Sequence, residues 1–387
     1  LLSSGEADIP VIIRSHGGRA RAIEEGSIQT DVAFLAAPAC DCLGNINGVQ
    51  GPSACGSLGY AITDARSAAH VIAITDNLVE YPLSPKISIP QYLVDQVVVA
   101  ESIGNPAKIA TGAARITRNP VDLRIAQDSF RLMKAAGVVR PGFSFQMGVG
   151  GASLAVASYL EEYMVEKGIV GSFGLGGVGG YMASMHDKGL FRTVFDVQSF
   201  DAVVTKSMLS NPNHIEIDAS WYANPFNAGA VVNNLDCVVL AALEVDTDFN
   251  VNVLTGNDGV LRGASGGHQD AAAGAALSIV VCPSFRGGVP SIKKQGHDDN
   301  DAGRNGGRDR DRARHLREPA ARRRSRGGAE GEAPRHRHRE AQGRGRKAHW
   351  RPRADRVRLR QTHRRGRVPR RHAHRRRLRG EVSAALT

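Results

Sequence analysis

Residues Asp31–Asn47 read DVAFLAAPACDCLGNIN, and Asp236–Asn252 read DCVVLAALEVDTDFNVN. At an offset of 205 the two align without a gap, and seven of the 17 positions are identical. The pairs are Asp31/Asp236, Leu35/Leu240, Ala36/Ala241, Ala37/Ala242, Asp41/Asp246, Asn45/Asn250 and Asn47/Asn252. Each copy opens on a short unbroken apolar run, the pattern of a strand buried on both faces of a parallel sheet. Turn formers then take over, and a glycine-rich stretch follows each copy. Matching residues in a matching strand-then-turn context predict two copies of one α/β domain.

Outward from this pair, further apolar runs predict strands at Ile9–Ile13, Ala69–Thr75 and Gln96–Ala100. A helix is expected over Asn119–Ala136, with Pro120 near its first position. A second unit starts at Gly142. It comprises a strand at Phe143–Gln146, a glycine loop at Gly148–Ser153, a helix at Ser153–Lys167, a glycine loop at Gly171–Gly180 and a helix at Tyr181–Gly189. Strands at Thr193–Val197 and Cys237–Ala241 follow. The expected organisation is a first domain at 1–141, a second at 142–292 and a separate tail at 293–387. About ninety residues precede the motif in the second unit and only 30 in the first. A first domain incomplete at its N-terminus is therefore expected, with weak stability and weak or no activity for the chain as written.

The 387 residues carry a net charge of +12, but the charge is uneven. Residues 293–387 hold 32 Lys and Arg against 11 Asp and Glu, leaving 18 against 27 in residues 1–292. The body is thus mildly acidic and every excess positive charge sits in the tail. Five cysteines include no C-x-x-C pair and no neighbouring histidine cluster, so buried thiols in a reducing cytoplasm are expected, with no metal site. No apolar run reaches membrane-spanning length and no signal peptide opens the sequence, which sets membrane functions aside.

Two loops draw attention as sites. Leu261–Asp270 reads LRGASGGHQD, and its glycines let backbone N–H groups approach a carbonyl oxygen closely. Arg14-Ser15-His16-Gly17-Gly18-Arg19 is a donor-rich transition from strand to loop. The Gly148–Ser153 loop lacks the Lys and Ser/Thr of a Walker motif and the spacing of a dinucleotide fingerprint.

The stretches VIIRSHGGRARAI (Val11–Ile23), GFSFQMGVGGASLAVA (Gly142–Ala157), EVDTDFNVNVLTGNDGVLRGASGGHQDAA (Glu244–Ala272) and DVAFLAAP together resemble the citrate lyase alpha chain family. The resemblance runs nearly continuously from Ile9 to Ile292. It implies a tandem CoA-transferase-like (NagB/RpiA-like) α/β fold of three-layer domains with parallel-rich sheets. It implies transfer of a carrier thiol, acetyl-S-carrier plus citrate giving citryl-S-carrier plus acetate, in a cytoplasmic, oligomeric complex. The implied partners are the beta subunit (citryl-carrier lyase) and the gamma subunit (the acyl carrier protein with its CoA-derived prosthetic group). No cofactor bound by this chain is implied.

On that reading Gly263, Gly266 and Gly267 cradle the oxyanion, and His268 and Gln269 orient the substrate or the loop. Substrate candidates are Arg14, Ser15, His16, Arg19 and Asp270, with Arg21 and Arg262 as further cations for citrate's carboxylates. Asn45, Asn47, Asn250 and Asn252 are read either as substrate ligands or as turn closers. Gly148, Gly150, Gly151, Ser153, Gly176 and Gly177 are expected at the carrier's phosphate or pantetheine. Many CoA transferases use a glutamate nucleophile, but Gly171–Gly180 contains none, and Glu244 is read as structural. A mixed anhydride between bound acids is then the implied intermediate. A CoA transferase for another acid and a non-catalytic, basic-tailed nucleic-acid binder are the alternatives.

The tail departs from that family. It has no Ile, Phe, Tyr or Met but 29 Arg and 8 His. A nucleic-acid arm and a solvated polycation both fit this composition. Translation out of frame from a GC-rich gene fits it better. Read one nucleotide later, codons for Gly303–Arg322 can encode GETVDVIVTERGICVNPRR, which has a strand-like alternation and a turn. Resequencing the source gene across the codons for Ser291–Gly303 should reveal a single-base insertion or deletion that restores this frame; an intact frame would make the tail genuine.

Overall fold

The computed structural model describes residues 11–109, 116–148, 151–256 and 260–294. Gly150 and residues 295–387 of the expected tail lie outside them, as do Ile9 and Pro10 of the first expected strand. The remainder of that strand, Val11–Ile13, has no regular structure. The donor-rich segment that follows becomes helix α1 (His16–Glu24) rather than a loop. Ser15 is its N-cap, its hydroxyl accepting from Gly18 N at 3.0 Å.

The repeat is reproduced element by element. In the first copy β1 (Val32–Ala36), β2 (Ala39–Asp41) and β3 (Ile46–Asn47) follow one another. After helix α2 (Gly59–Ser67) come β4 (His70–Thr75), β5 (Leu78–Val79) and β6 (Gln96–Val99). β1, β4 and β6 form a parallel sheet in the order β1-β4-β6, and β2 pairs with β3 antiparallel and with β5 parallel.

The second copy is preceded by α3 (Pro120–Ala135) and a run of β–α units. These are β7 (Phe145–Met147), α4 (Gly151–Lys167), β8 (Gly171–Val178), α5 (Gly180–Asp187), β9 (Phe191–Ser199), α6 (Ala202–Ser210), β10 (His214–Glu216) and α7 (Ala219–Ala223). The motif then returns as β11 (Cys237–Ala241), β12 (Glu244–Asp246) and β13 (Val251–Asn252), each displaced by the same 205 residues. Helix α8 (His268–Gly274), β14 (Leu277–Val281), the hairpin β15 (Phe285–Arg286) and β16 (Val289–Pro290), and β17 (Ile292–Lys293) complete it. Pairing is copied too, with β14 parallel to β11 as β4 is to β1, and β17 parallel to β12 as β5 is to β2. The larger sheet has the order β10-β9-β8-β7-β11-β14, all parallel.

The Gly171–Gly180 stretch was expected as a loop, but Gly171–Val178 is the strand β8 inside that sheet. Its glycines are there because large side chains occupy the space of a Cβ: the Phe191 ring at Gly171, the Met182 sulfur at Gly174 and the Phe200 ring at Gly177. A shift in pairing register between Gly176 and Gly177 bends the strand. Cores form on both sides of the sheet. Phe130 and Met133 of α3 pack with Leu154 and Leu160 of α4 over Phe145, Cys237 and Val239, so α3 joins the core of the second unit although it precedes Gly142 in sequence. Ala20 of α1 joins Ile217, Tyr222 and Val238 on the opposite face.

The conserved feature of each copy is a closed turn. Asp41 Oδ1 accepts from the N–H groups of Leu43, Gly44 and Asn45, while Asn45 Nδ2 donates to Oδ2 at 2.7 Å. Asp246 does the same with the N–H groups of Asp248 and Asn250, and Asn250 Nδ2 donates to its Oδ2 at 2.6 Å. Both turns need a left-handed residue, Gly44 at φ +101° and Phe249 at φ +64°. Only a glycine takes that conformation without a steric cost. Phe249→Gly should therefore raise stability by up to ~1 kcal/mol, read as a higher urea midpoint, whereas Gly44→Phe should lower it by more.

Candidate active site

In an open parallel sheet, ligands bind at the carboxyl ends of the strands where the winding reverses. Here the chain winds from β7 outward through β8 to β10, and in the opposite direction from β11 to β14. The reversal lies between β7 and β11. Gly148, just past β7, donates its N–H to Val239 O at 3.0 Å. At the end of β11, the Ala241 carbonyl lies 3.1 Å from His268 Nε2. A narrow cleft beside this point is lined by Met147, Gly148, Leu175, Gly177 and Met182.

The two sequence loops meet at this point. Asp270 accepts from Ser15 Oγ at 2.6 Å and from Gly17 N at 2.8 Å, and His16 N donates to Gly266 O at 3.1 Å. Burial pushes the Asp270 carboxyl up, and the two donors oppose that shift. Gly17 must be glycine, because a Cβ there would stand 1.8 Å from the Ala223 carbonyl oxygen. Gly267 is similarly confined, its missing Cβ replaced by the Tyr222 hydroxyl at 2.5 Å. Gly266 sits at φ +54°, with the His16 ring against its Cα.

His16 Nδ1 is hydrogen-bonded to the Tyr60 hydroxyl, and the two ring centroids are 4.5 Å apart. Burial, with a smaller contribution from the Arg19 charge, lowers the His16 pKa to about 4, so the imidazole is neutral at physiological pH. Burial also holds Tyr60 and Tyr222 above the usual phenol range. Behind them Gln146 Nε2 donates to Tyr222 Oη at 3.0 Å, and Gln146 Oε1 is buried with no partner among the described residues. Gly176, at φ +105°, makes room for that Gln146 side chain. Gln269 Nε2 reaches Ser265 Oγ at 3.1 Å and likewise leaves its buried Oε1 unpaired among the described residues.

Ser15, His16, Asp270, Gly266, Gly267, His268 and Gln269 are thus brought together, and Gly263 lies on the approach to their loop. Gly148 and Gly177 meet across the cleft, Gly151 and Ser153 open α4, and the Ser153 hydroxyl is buried without a partner among the described residues. Arg19 faces α2, where one terminal nitrogen contacts both Asp64 oxygens at 2.9 and 3.2 Å, so its charge is already neutralised. Arg14 is half-buried on the chain entering α1.

The four asparagines close turns, one of the two readings their positions allowed. Asn45 and Asn250 bond their aspartates as described. The side-chain oxygens of Asn47 and Asn252 accept from Val49 N and Leu254 N. Tyr60, Gln146 and Tyr222 were missed. Only Gln146 carried a signal, as the one polar residue with an amide in FSFQM before a glycine loop.

Parallel sheets in tandem, with glycine loops at the reversal point, define a CoA-transferase-like α/β protein. The same fold occurs in RipA from Yersinia pestis, 17% identical with a TM-score of 0.52 over 76% of this chain and 64% of that one. It occurs also in a Pseudomonas malonate decarboxylase hetero-tetramer, 18% identical with a TM-score of 0.52 over 70% of this chain and 48% of that one. Within that class the chain belongs to the citrate lyase alpha subunit family, whose sequence model, described as citrate lyase, alpha subunit (CitF), matches residues 1–298.

The citrate lyase alpha chain of Klebsiella pneumoniae is 50% identical over 291 residues, which are 75% of this chain and 57% of that one. The Escherichia coli K12 chain is 51% identical, with the same coverage of 75% and 57%. This chain therefore spans a little over half the length of those relatives. A Streptococcus mutans structure, described as an alpha subunit of citrate lyase in complex with citrate, is 50% identical with a TM-score of 0.73. It covers 76% of this chain and 58% of that one.

The His16 environment has a measurable consequence. Unfolded, the imidazole binds a proton below its ordinary 6.5, but the folded protein excludes it until about 4. Stability contributed by neutral His16 is therefore present above pH 6.5 and is lost as pH falls from 6.5 to 4, by up to ~3 kcal/mol. Over that window the stability of His16→Gln should fall less than that of the unsubstituted chain, measured as the difference between their urea midpoints.

Proposed function

We propose that this site exchanges the acyl group on a carrier thiol: acetyl-S-carrier and citrate become citryl-S-carrier and acetate. The observation that supports it most directly is the joining of Gly266–Gly267 to a neutral His16 at the sheet's reversal point, beside a narrow cleft. A citrate carboxylate oxygen attacks the acetyl carbonyl, and the carrier thiolate leaves, giving an acetyl–citryl anhydride. The thiolate then attacks the citryl carbonyl and acetate departs. Each step passes through a tetrahedral oxyanion, for which backbone N–H groups of a glycine loop and a neutral imidazole N–H are preorganised donors. Neither step requires a protein nucleophile. The 50% identity to the Streptococcus mutans chain solved with citrate supports citrate as the acid.

The proposed partners are an acyl carrier protein bearing a CoA-derived thiol, as the gamma subunit, and a citryl-carrier lyase, as the beta subunit. The alpha chain would act in a multi-subunit cytoplasmic complex. No described helix is long and apolar enough to cross a membrane. The carrier's thiol arm would run along the Gly148–Gly177 cleft, leaving citrate on the Ser15–His16 side.

The test is incubation of the purified chain with acetyl-S-carrier and citrate, with mass spectrometry of the carrier. Any conversion to citryl-S-carrier is expected to depend on citrate and to release equimolar acetate, at a low rate in a chain that spans a little over half the length of its relatives. Gly266→Ala, which forces a side chain into a left-handed residue against His16, should reduce the rate roughly 10–100-fold. Acetyl loss that is independent of citrate would sink the reading.

A further inference from the structure

We infer that Tyr60 is a positioning residue: it donates its hydroxyl proton to His16 Nδ1, locks the imidazole in the Nε2–H form, and presents that N–H beside Gly266 as a neutral donor to the acyl carbonyl oxygen. The identity of the acceptor rests on the acyl-transfer reading above; the tautomer does not.

The direction of the bond follows from which donors and acceptors surround it. Tyr60 is the second residue of α2, and its hydroxyl has His16 Nδ1 as its hydrogen-bond partner among the described residues. The Tyr60 phenol is partly buried and held above the usual phenol range, so it keeps its proton and offers it to the acceptor within reach. If His16 Nδ1 carried the hydrogen instead, the Tyr60 proton would have no described acceptor. With Tyr60 donating, Nδ1 is the lone-pair nitrogen, and the ring's single hydrogen must reside on Nε2. Nε2 has no partner among the described residues. A Cβ placed on Gly266 would stand 3.3 Å from His16 Cε1 and 3.4 Å from Nε2, so that ring edge lies against the loop that carries the oxyanion donors. Meanwhile His16 N donates to Gly266 O at 3.1 Å and holds the ring and the loop in register.

The surroundings keep the imidazole neutral. Arg19, on the same helix, disfavours a second positive charge although Asp64 of α2 pairs it. Asp270 of α8 is occupied by Ser15 Oγ and Gly17 N, and the Tyr222 hydroxyl of α7 by Gln146. No described carboxylate is hydrogen-bonded to His16 to stabilise an imidazolium. The hydrogen bond by which Tyr60 reaches the site is the one to His16.

The experiment is nitrogen NMR of the full 387-residue chain with 15N-labelled histidine at pH 7. The His16 signal is assigned by its loss in His16→Gln. Expected is a proton-bearing Nε2 and a bare Nδ1, with the two tautomers mixing in Tyr60→Phe. In the transferase assay Tyr60→Phe should lower kcat roughly tenfold, with KM for citrate changed by less than about twofold. His16→Gln, whose amide N–H can replace Nε2–H, should retain more rate than His16→Asn.

A proton on Nδ1 in the unsubstituted protein overturns the inference, as does a Tyr60→Phe protein with unaltered tautomer and kcat. If the unsubstituted protein releases acetate from the carrier independently of citrate, the acyl-transfer reading fails. The spectrum still decides whether Tyr60 sets the tautomer, since it needs neither substrate nor turnover.

Discussion

The Asp270 carboxylate holds the site together. Its two oxygens bind a side-chain hydroxyl and a backbone N–H from residues more than 250 positions earlier, at 2.6 and 2.8 Å. Those bonds close the first turn of α1 onto the first turn of α8 and place His16 beside Gly266. The carboxylate is largely buried, and removing charge from water is costly unless hydrogen bonds replace the lost hydration. Both oxygens are so supplied. The glycine at 266 follows from this contact, since a Cβ there would press on the His16 ring, whereas those at 17 and 267 make room for Ala223 and Tyr222 of α7.

The internal repeat explains how one motif came to serve two purposes. Both copies keep the aspartate–asparagine turn, because it supplies acceptors and donors to a backbone that leaves its strand abruptly. What surrounds the motif has diverged. Val239 lies in the core under α3 and α4, whereas its counterpart Phe34 is 67% exposed and no described element covers it. Only the second copy leads into the glycine loop of the candidate site. The first copy contributes from across the junction: Ser57 donates to Asp196 O, Leu58 N to Glu216, and Tyr60 reaches His16. One short segment at the start of α2 thus joins the two sheets and completes the site.

Much of the fold was legible because parallel strands are continuous apolar runs, and the repeat gave their boundaries twice. β1 and β11 fall inside the stretches expected for them, and Asn119 and Pro120 marked the start of α3 correctly. The errors share a physical cause. Gly171–Gly180 is glycine-rich like a loop, but its glycines answer to Phe191, Met182 and Phe200, contacts that no local pattern contains. Arg14–Arg19 looked like a loop for the same reason, two glycines in a helix start, of which Gly17 answers to the Ala223 carbonyl and Gly18 to the capping Ser15 hydroxyl. The site was half legible. Its backbone elements announced themselves through glycine, whereas Tyr60 and Tyr222 are ordinary aromatics in sequence and acquire meaning only through His16 and Gln146. Arg19 shows the converse, since a cation beside a donor-rich loop reads as a carboxylate ligand until Asp64 is seen to hold it.

That diversion of charge suits the proposed chemistry. An exchange between two acids binds a carboxylate as substrate and releases one as product. A cation at the reacting carbon would stabilise those ground states as strongly as the oxyanion between them, and uniform binding does not accelerate a step. Neutral N–H donors discriminate better, because their interaction grows as the carbonyl oxygen acquires full charge. The backbone of a glycine loop is one such donor. An imidazole denied its second proton by burial is another, provided its hydrogen is on the nitrogen that faces the substrate. On this argument the partly buried phenol of Tyr60 and the pairing of Arg19 with Asp64 serve one end: the donors around Gly266 stay uncharged while remaining fixed in place.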